Sequence, residues 1–353
     1  MSRNRQVTIV DIAQAAGVSI ATVSNVLNRR NVPMAEETIR KVEEAAERLG
    51  YRRNVMAASL SRRKSYELGL LVPGFGGYYG LFAESMQRIA HQFGYHLSVF
   101  SSGGFDPEIE KRHLEVLLQR RVDGLVCHGL AMSQETTRQL VGDGTPLVLF
   151  NGWGWPSDLA VAAVNLDFAQ GSREAVKYLY ERGCKKLFYL ARSGSHAIDE
   201  QRRIGFNLGV SELPSEVEAE ILEYSDGKQQ AALERLEAVA SDEAPIGILA
   251  FDDFVALTFM SHVQRSGYRV PEHFRIIGIN NDPISSHTYP ALTTIEIPYD
   301  LQARLAIRVM MRQLGEDEKL IRLPDERGDE LMGGGAHEIR IPLKLIPRRS
   351  TEA

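Results

Sequence analysis

Apolar residues recur at helical spacing in two short stretches near the start of the chain. The first stretch opens with Thr8 and Asp11, whose spacing fits a capping box, and it stops at Gly17. The second stretch opens with Ser19, a favourable N-cap residue, and runs through Leu27. The pattern therefore predicts two short helices joined by one glycine turn, which is the arrangement of a helix-turn-helix.

A third helical stretch follows, and after it the chain alternates apolar runs with helices. The third helix is predicted over 35–49, with Gly50 at its end. From Glu67 onward, short continuous apolar runs are typical of strands buried in a parallel sheet. The first series of runs is LGLLV, HLSVFSS, GLVCHG and PLVLFN, and the second is KKLFYLA, AEILEYS, IGILAF and RIIGIN. The two series predict two doubly wound parallel-sheet halves with a ligand cleft at the carboxyl ends of their strands.

The glycine-rich loop PGFGGYYG, residues 73–80, directly follows the first predicted strand. This position suits a phosphate-binding turn, but Tyr79 occupies the place of the third glycine in G-x-G-x-x-G and no P-loop lysine follows. We therefore predict a lip of the cleft, where Tyr78 and Tyr79 pack against a ligand while their hydroxyl groups form hydrogen bonds. The alternative is that both tyrosines pack into the core of their half.

Length and composition narrow the class of protein. A chain of 353 residues is long enough for two or three domains, and 44% hydrophobic with 25% charged residues is typical of a soluble globular protein. No apolar stretch approaches the roughly 20 residues that span a bilayer, and the first residues lack a signal-peptide pattern. A cytoplasmic location without membrane association is therefore expected. Cys127 and Cys184 lie far apart, which argues against a disulfide framework and against a zinc site built on cysteines.

The sequence carries no constellation of residues typical of an enzyme. The histidines are scattered, no nucleophile stands beside a base, and no true dinucleotide loop is present. We therefore expect no catalytic residues, no metal site and no cofactor. A Rossmann-type enzyme and a solute-binding protein without regulatory output are the alternative functions.

The charges are distributed unevenly along the chain. Residues 1–64 contain 12 Lys and Arg against 6 Asp and Glu, whereas the remainder contains 29 against 40. A basic head on an acidic body suggests a polyanionic partner for the head. The second helix would then lie in the DNA major groove, where Asn25 can pair with adenine. A solvated charged face and a solvated Asn25 are the alternatives.

A wider series of motifs covers nearly the whole chain. It begins with TIVDIAQAAGVSIATVSNVLN and EETIRKVEEAAERLGYRRNVMAASL, and it continues in order through RRVDGLV, ERGCKKLFYL, FDDFVAL, RVPEHFRIIGINND and YPALTTI. This series resembles the LacI/GalR family of bacterial transcription regulators, in which the first two stretches form the headpiece and the hinge. The resemblance implies a DNA-binding regulator, most often a repressor, that binds a palindromic operator as a dimer.

The resemblance also implies a hinge helix that forms on DNA and inserts Leu60 into the minor groove as a wedge. The alternative for the stretch SRRKS that follows Leu60 is an ordinary flexible linker. Arg53 stands where the family usually has proline, and Asn25 where it often has arginine, so the half-site sequence stays open. The predicted DNA-binding residues are Thr8, Ser19, Ile20, Ala21, Thr22, Ser24, Asn25, Asn28, Ala57 and Leu60.

An effector site in the cleft is implied as well. Four residues match family positions that contact effector hydroxyls or carboxylates, and all are expected at strand ends: Asn151, Arg202, Asp252 and Asn280. Asp252 replaces the usual asparagine, and Asn280 the usual aspartate. The aromatic residues expected to pack against the effector are Tyr78, Tyr79, Trp153, Tyr224 and Tyr299. A sugar or sugar acid is the expected effector, and a nucleobase or other metabolite is the alternative.

The predicted fold is an all-α helix-turn-helix headpiece with a hinge helix, followed by an α/β body like that of periplasmic binding proteins. The predicted boundaries are 1–53 for the headpiece, 54–65 for the hinge helix or linker, and 66–353 for the effector-binding and dimerisation domain. Within the body, the N-terminal half is expected to cover about 66–163 and 296–322, and the C-terminal half about 164–293 and 339–353. The acidic segment 315–338 is predicted to be a surface excursion before a single final strand, EIRIPLKLI. No leucine-heptad tail is present, so a homodimer is expected.

Overall fold

The computed structural model describes most of the chain: residues 7–27, 32–51, 64–142, 144–192, 196–225, 227–241, 244–323, 331 and 337–352. The chain forms two compact units, Met1–Tyr66 and Glu67–Ala353. In the described part of the chain, no single helix is long and apolar enough to cross a membrane. Two helices near the start of the chain, Ile9–Ala16 and Ile20–Leu27, are long and apolar enough only when they are counted together, and the chain bends between them.

The first unit contains three helices, and their caps match the sequence prediction. The helices are α1 (Ile9–Ala16), α2 (Ile20–Leu27) and α3 (Glu36–Arg48). The amide of Thr8 donates to Asp11 Oδ2 at 2.7 Å, and the amide of Asp11 donates to Thr8 Oγ1 at 3.4 Å, which confirms the capping box. Gly17 ends α1 in the left-handed conformation with φ of 65°. The Ser19 hydroxyl oxygen caps α2 by accepting from the amide of Thr22 at 3.1 Å.

The small core of the first unit holds α2 at a steep angle to α1. Ile12, Val23 and Val42, one from each helix, are fully buried together. The chain bends by 107° between α1 and α2, within the range of a helix-turn-helix. Because α2 buries only one side, its other side is left available for contacts outside the unit.

The first half of the second unit is a six-stranded sheet covered by helices. Its strands are β1 (Glu67–Val72), β2 (His96–Ser101), β3 (Gly124–His128), β4 (Leu147–Phe150), β5 (Ala162–Leu166) and β11 (Glu338–Ile341). They lie in the order β11-β5-β4-β3-β1-β2, and every neighbouring pair is parallel. The helices are α4 (Gly77–His91), α5 (Pro107–Gln119), α6 (Gln134–Val141) and α11 (Tyr299–Gln313).

The second half repeats this plan with another six-stranded sheet. Its strands are β6 (Lys186–Ala191), β7 (Glu218–Glu223), β8 (Ile246–Ala250), β9 (Phe274–Asn280), β10 (Thr293–Glu296) and β12 (Lys344–Ile346). They lie in the order β12-β10-β9-β8-β6-β7, and only β12 is antiparallel to its neighbour. The helices are α7 (Phe168–Glu181), α8 (His196–Ser211), α9 (Gln229–Glu237) and α10 (Asp253–Arg265).

The two halves divide the end of the chain differently from the sequence expectation. The predicted single strand EIRIPLKLI is two strands, because Pro342 has no amide proton and interrupts the ladder. β11 therefore joins the first sheet, although 339–353 was assigned to the C-terminal half. β5 and β10 also extend past the expected boundaries, to Leu166 and Glu296. The predicted fold class, a helix-turn-helix headpiece before a two-sheet α/β body, is otherwise confirmed. Residues 54–63 of the predicted hinge helix or linker, 54–65, lie outside the described part.

Helices α7 and α8 approach each other too closely for a side chain at one position. A β-carbon built on Gly205 of α8 lies 2.2 Å from the carbonyl oxygen of Ala169 and 2.7 Å from its Cα. These are backbone atoms of α7, which cannot rotate away as a flexible side chain can. Glycine at 205 therefore sets the separation of the two helices.

We expect Gly205→Ala to destabilise the second unit by about 2 kcal/mol, because α7 and α8 must move apart to admit a methyl group. Urea unfolding of the full chain, followed by circular dichroism, measures the change. Gly74→Ala is the matched control, since a β-carbon on Gly74 meets nothing within 4 Å. Equal unfolding midpoints for the two variants would show that the helix contact is not tight.

Candidate functional site

The outer side of α2 carries the residues predicted to contact DNA. Ile20 is 49% exposed and Ala21 is exposed, while Thr22 is half-buried. Three further positions predicted for base or phosphate contacts also lie outside the core of the unit: Ser19, Ser24 and Asn25. Three predicted contacts have partners within the headpiece, since Thr8 bonds to Asp11 and the Ser19 hydroxyl lies 2.9 Å from that of Thr22. Three predicted positions lie outside the described residues: Asn28, Ala57 and Leu60.

A cavity of about 660 Å³ lies between the two halves of the second unit, at the carboxyl ends of their strands. Six of the predicted effector residues line it: Tyr78, Tyr79, Asn151, Arg202, Asp252 and Asn280. The sequence prediction missed a further set of lining residues that is mainly aromatic or charged: Phe105, Phe168, Arg192, Phe251, Phe254 and Asp282. The cavity thus combines apolar ring surfaces with charged groups of both signs.

Three of the predicted aromatic contacts do not line this cavity. Trp153 is half-buried and packs near Phe168, with 6.1 Å between the ring centroids. Tyr224 is only 3% exposed, and its hydroxyl lies 2.6 Å from Nδ1 of His262 beside a separate cavity of about 350 Å³. Tyr299 is the first residue of α11 and packs against a buried hydrophobic cluster that includes residues of both halves. Their positions near strand ends in the sequence gave no information on the direction of their side chains.

Tyr78 lies in the first turn of α4 rather than in a loop, and its hydroxyl is fully engaged within the protein. It donates to Gln302 Oε1 at 2.5 Å and accepts from Asn151 Nδ2 at 3.1 Å. Gln302 Nε2 in turn donates to Asn151 Oδ1 at 3.0 Å and to the carbonyl of Val164 at 2.8 Å. Burial raises the pKa of Tyr78, so the hydroxyl stays protonated. This network ties α4, β4 and α11 together and offers a ligand mainly the tyrosine ring.

Tyr79 differs, because its hydroxyl has a hydrogen-bond acceptor as its neighbour. His128 Nδ1 lies 3.1 Å from the carbonyl oxygen of Gly129, which can only accept, so the imidazole proton is assigned to Nδ1. His128 Nε2, at 3.3 Å, is then the acceptor for the hydroxyl proton of Tyr79. Burial lowers the pKa of His128 to about 4, which keeps the ring neutral. The Tyr79 oxygen is thereby left as an acceptor for a ligand hydroxyl.

Arg202 projects from the middle of helix α8, not from a strand end as the sequence suggested. It is only 3% exposed and lies between the rings of Phe168 and Phe251, at 4.5 and 4.0 Å from their centroids. Burial lowers its pKa, but a guanidinium remains protonated in proteins. Among the described residues, its Nε and Nη1 atoms have no hydrogen-bond partner.

Carboxylates lie on the same side of the cavity, in the second half. Asp252 caps α10 by accepting from the amide of Val255 at 2.8 Å, and its Oδ2 lies 3.8 Å from Arg192 Nη1. Asp253 is fully buried and accepts from Thr294 Oγ1 at 2.5 Å and from the amide of Asp282 at 2.7 Å. Burial raises the pKa of Asp253 to about 7, and Asp253 holds the loop that carries Asp282 into the cavity.

Other kinds of site are not indicated by the described residues. No group of three or more His, Cys, Asp and Glu side chains among them is placed to hold a metal ion. Cys127 and Cys184 are both buried thiols in separate clusters. The cavity is therefore the candidate ligand site of the second unit, and the outer side of α2 that of the first.

His128 predicts a specific pH dependence of stability. Its pKa is about 4 when folded and about 6.5 when unfolded, so the unfolded chain binds more protons between these values. The contribution of neutral His128 is fully present above pH 6.5 and is lost as the pH falls toward 4. Asp253, whose pKa is raised to about 7, contributes with the opposite sign over this range, so only a wild-type-to-variant difference isolates His128.

We expect the difference in unfolding free energy between wild type and His128→Asn to shift by up to about 3 kcal/mol, in favour of the variant, from pH 7 to pH 4. Urea unfolding at a series of pH values measures it. His96→Asn, which removes an exposed imidazole, is the control. A difference that does not change with pH would contradict a buried neutral His128.

Comparison with known proteins places both units. Residues 8–54 match the model of bacterial regulatory proteins of the lacI family, and residues 176–351 match the periplasmic binding protein-like domain. Catabolite control protein A of Staphylococcus epidermidis is 30% identical over 316 residues, which cover 88% of this chain and 94% of the relative.

Solved structures show the same fold at lower identity. The lac repressor dimer bound to operator and the anti-inducer ONPF aligns with 99% of this chain and 100% of its own, with a TM-score of 0.80 and 22% identity. The complex of the transcriptional regulator CelR with cellobiose aligns with 98% and 100%, with a TM-score of 0.63 and 21% identity. With a relative 30% identical along nearly its whole length, the chain belongs to the lacI family of DNA-binding bacterial transcription regulators.

Proposed function

We propose that the protein is a transcriptional repressor that binds a palindromic operator as a homodimer and responds to a small effector with several hydroxyl groups, a sugar or sugar acid, in the cleft. The observation that carries the proposal is a cavity lined by both halves of the body, in a chain whose other unit is a helix-turn-helix. A ligand that contacts both halves binds more tightly to one arrangement of the halves than to another. This difference in affinity is what allows ligand binding to change the affinity for DNA.

The headpiece supports the DNA-binding part of the proposal. α2 exposes Ile20 and Ala21, which can contact thymine methyl groups, and it carries the half-buried Asn25, which can bond to the edge of adenine. A single headpiece offers one short helix to one groove, so two headpieces on a symmetric operator are needed for a specific site of useful affinity. The lac repressor structure that resembles this chain is a dimer on its operator, which favours the same arrangement here.

The chemistry of the cavity supports a sugar-like effector. Flat rings such as Phe105 and Phe251 can pack against the apolar face of a pyranose, while Asn280 and Asp282 offer polar groups for hydroxyls. The volume of about 660 Å³ falls within the range of small-molecule sites. The CelR relative binds cellobiose, which supports a carbohydrate here as well.

DNA recognition is tested with Asn25→Ala. An operator is first selected from a random duplex library with the wild-type protein, and affinities are then measured by fluorescence anisotropy at fixed salt. We expect the variant to lose about 1–3 kcal/mol on the selected duplex and almost nothing on random duplex, because a base contact carries specificity. Gln14→Ala, which truncates an exposed amide of α1, is the control and should retain the preference. Failure of the wild type to enrich any sequence would refute the proposal.

The effector site is tested by comparing the two neighbouring tyrosines. Calorimetric titration with sugars, sugar acids and nucleobases is performed on Tyr79→Phe and Tyr78→Phe. Tyr79→Phe should weaken binding about tenfold, because it removes an acceptor that faces the cavity, and should cost less stability than Tyr78→Phe, because it breaks a single long hydrogen bond of 3.3 Å to His128. Tyr78→Phe should cost about 1–2 kcal/mol of stability, because it leaves Gln302 Oε1 and Asn151 Nδ2 without their partner. The reverse pattern would exchange the roles assigned to the two rings.

A further inference from the structure

Resting on the proposed function, we propose that Arg348 is a positioning residue of the effector site, which fixes the turn 280–286 without contacting the ligand. Asn280 ends β9, Asp282 follows two residues later, and both line the cavity. Arg348 is half-buried in the segment after β12 and is not among the described residues that line the cavity. A side chain outside the site thus determines where two of its polar groups lie.

The turn 280–286 begins with an unfavourable backbone conformation. Asn280 has a φ of 128° and Asn281 has a φ of 56°, so two successive residues with side chains lie at positive φ. Such conformations are uncommon for residues other than glycine, and they persist only where surrounding contacts enforce them. The position of Asn280 and Asp282 in the cavity wall therefore depends on the contacts that hold this turn.

The side chain of Arg348 holds the turn near both of its ends. Its Nη2 donates to Asn281 Oδ1 at 2.6 Å. Its Nη1 donates to Ser285 Oγ at 3.0 Å and to the carbonyl of Leu292 at 2.8 Å. Hydrogen bonds from an ionised donor are stronger than those between neutral groups, and the planar guanidinium can serve several acceptors at once. One side chain therefore ties the start and the end of the turn to a common point.

Both ends of the turn lead to the polar groups of the cavity. The hydroxyl of Ser285 donates to the carbonyl of Asp282 at 2.6 Å, and the amide of Ser285 donates to the same carbonyl at 2.8 Å. Burial raises the pKa of Asp282, and a hydrogen bond from the side chain of Asn280 opposes this shift. Asn280 and Asp282 are therefore bonded to each other, and Arg348 holds the residue between them and the serine that bonds to Asp282.

The backbone of Arg348 is fixed independently of its side chain. Its amide donates to Thr293 Oγ1 at 2.8 Å, and its carbonyl accepts from the same hydroxyl at 3.0 Å. Ser350 anchors the same segment, because its hydroxyl donates to the carbonyl of Ile276 at 2.6 Å and accepts from the amide of Thr293 at 2.8 Å. A change in the Arg348 side chain should therefore release the turn and leave the segment attached to the sheet.

Other contacts of the turn do not involve Arg348. The amide of Asp282 donates to Asp253 Oδ2 at 2.7 Å, and the amide of Asn281 donates to Thr294 Oγ1 at 3.2 Å. These contacts stay in place when the Arg348 side chain is removed. We therefore expect such a variant to have a loosened turn in an otherwise folded protein.

The first measurement needs no ligand. Hydrogen–deuterium exchange of the full-length protein is followed by mass spectrometry in peptides that cover 278–292 and, as a reference, 67–72. Arg348→Met should speed exchange in 278–292 at least about tenfold, because the amides of Ser285 and Leu292 bond within the region that Arg348 holds. Exchange in 67–72, which is a strand of the other half, should not change.

The second measurement is calorimetric titration with cellobiose, glucose, gluconate and glucuronate as probes. For a probe that the wild type binds, Arg348→Met should weaken binding about tenfold. Arg348→Lys keeps the charge but loses the planar fork, so its affinity should lie between those of the wild type and Arg348→Met.

A double variant tests whether Arg348 acts through the turn. Asn281→Gly accepts a φ of 56° without strain but offers Arg348 no side-chain oxygen. Asn281 is not among the described residues that line the cavity, so its loss should weaken binding only by releasing the turn. The variant with both changes should then bind no more weakly than the weaker single variant.

Two variants of the same segment are the controls. Arg349→Met removes an equal charge from the exposed neighbour of Arg348. Ser350→Ala removes two hydrogen bonds that hold the segment to the sheet, and it should lower the unfolding temperature by about 2–4 °C. Neither control should change the affinity for a probe by more than about twofold.

Unchanged exchange in 278–292, or equal affinities of the wild type and Arg348→Met, would overturn the positioning role and leave the proposed function standing. Equal losses of affinity in Arg348→Met and Ser350→Ala would show a general loss of stability and would also overturn it. Additive losses in the double variant would show that Arg348 does not act through Asn281. Binding of no probe by the wild type would overturn the sugar effector, while the exchange comparison would still decide whether Arg348 fixes the turn.

Discussion

Parallel strand pairing is the constraint on which the body of this protein depends. Strands that run in one direction must be joined by crossover helices, so the turns that follow them all lie at one edge of the sheet. In the first half, β1 and β4 end there at the glycine-rich segment and at Asn151. In the second half, β8 ends directly before Phe251, and β9 ends at Asn280. Because the chain passes between the sheets three times, the two edges face each other and enclose one cavity.

The polar groups of the cavity differ in how fully the protein satisfies them. Tyr78 and Asn151 bond to each other and to Gln302, which rigidifies the first half around α11. Asp253 likewise fastens the loop of Asp282 to β10 through Thr294. These groups shape the site, because a buried network in which every polar group has a hydrogen-bond partner holds its side chains in fixed positions. Arg202 and Tyr79 keep hydrogen-bonding capacity unused within the described residues.

The headpiece depends on a different balance of forces. Its helices are short, and their stability comes from local caps and from a small core around Ile12, Val23 and Val42. The outer side of α2 does not pack into this core. Residues on that side can therefore change without loss of the fold. The residues predicted to contact DNA and the residues that line the cavity therefore lie in separate units of the chain.

The sequence by itself determined the features that rest on local chemistry. The sequence predicted where α1 begins and ends and where α2 begins, because helix caps and left-handed glycines act over a few residues. The residues that carried this prediction are Thr8, Asp11, Gly17 and Ser19. Apolar runs likewise predicted most of the strands, and the cavity residues at their ends followed from parallel topology. The sequence did not predict α6, α11 or the division of EIRIPLKLI, since these depend on which sheet receives each segment.

Only the tertiary structure decided the direction of side chains and their partners. Trp153, Tyr224 and Tyr299 have the chemistry of sugar-binding residues, but packing turns them away from the main cavity. Phe168 and Arg202 are brought together by the close contact of α7 and α8 at Gly205, which no periodicity reveals. Whether a buried polar group has hydrogen-bond partners depends on residues distant in the sequence. The hydrogen bonds of its hydroxyl distinguish a tyrosine with a structural role from one that is able to bind a ligand.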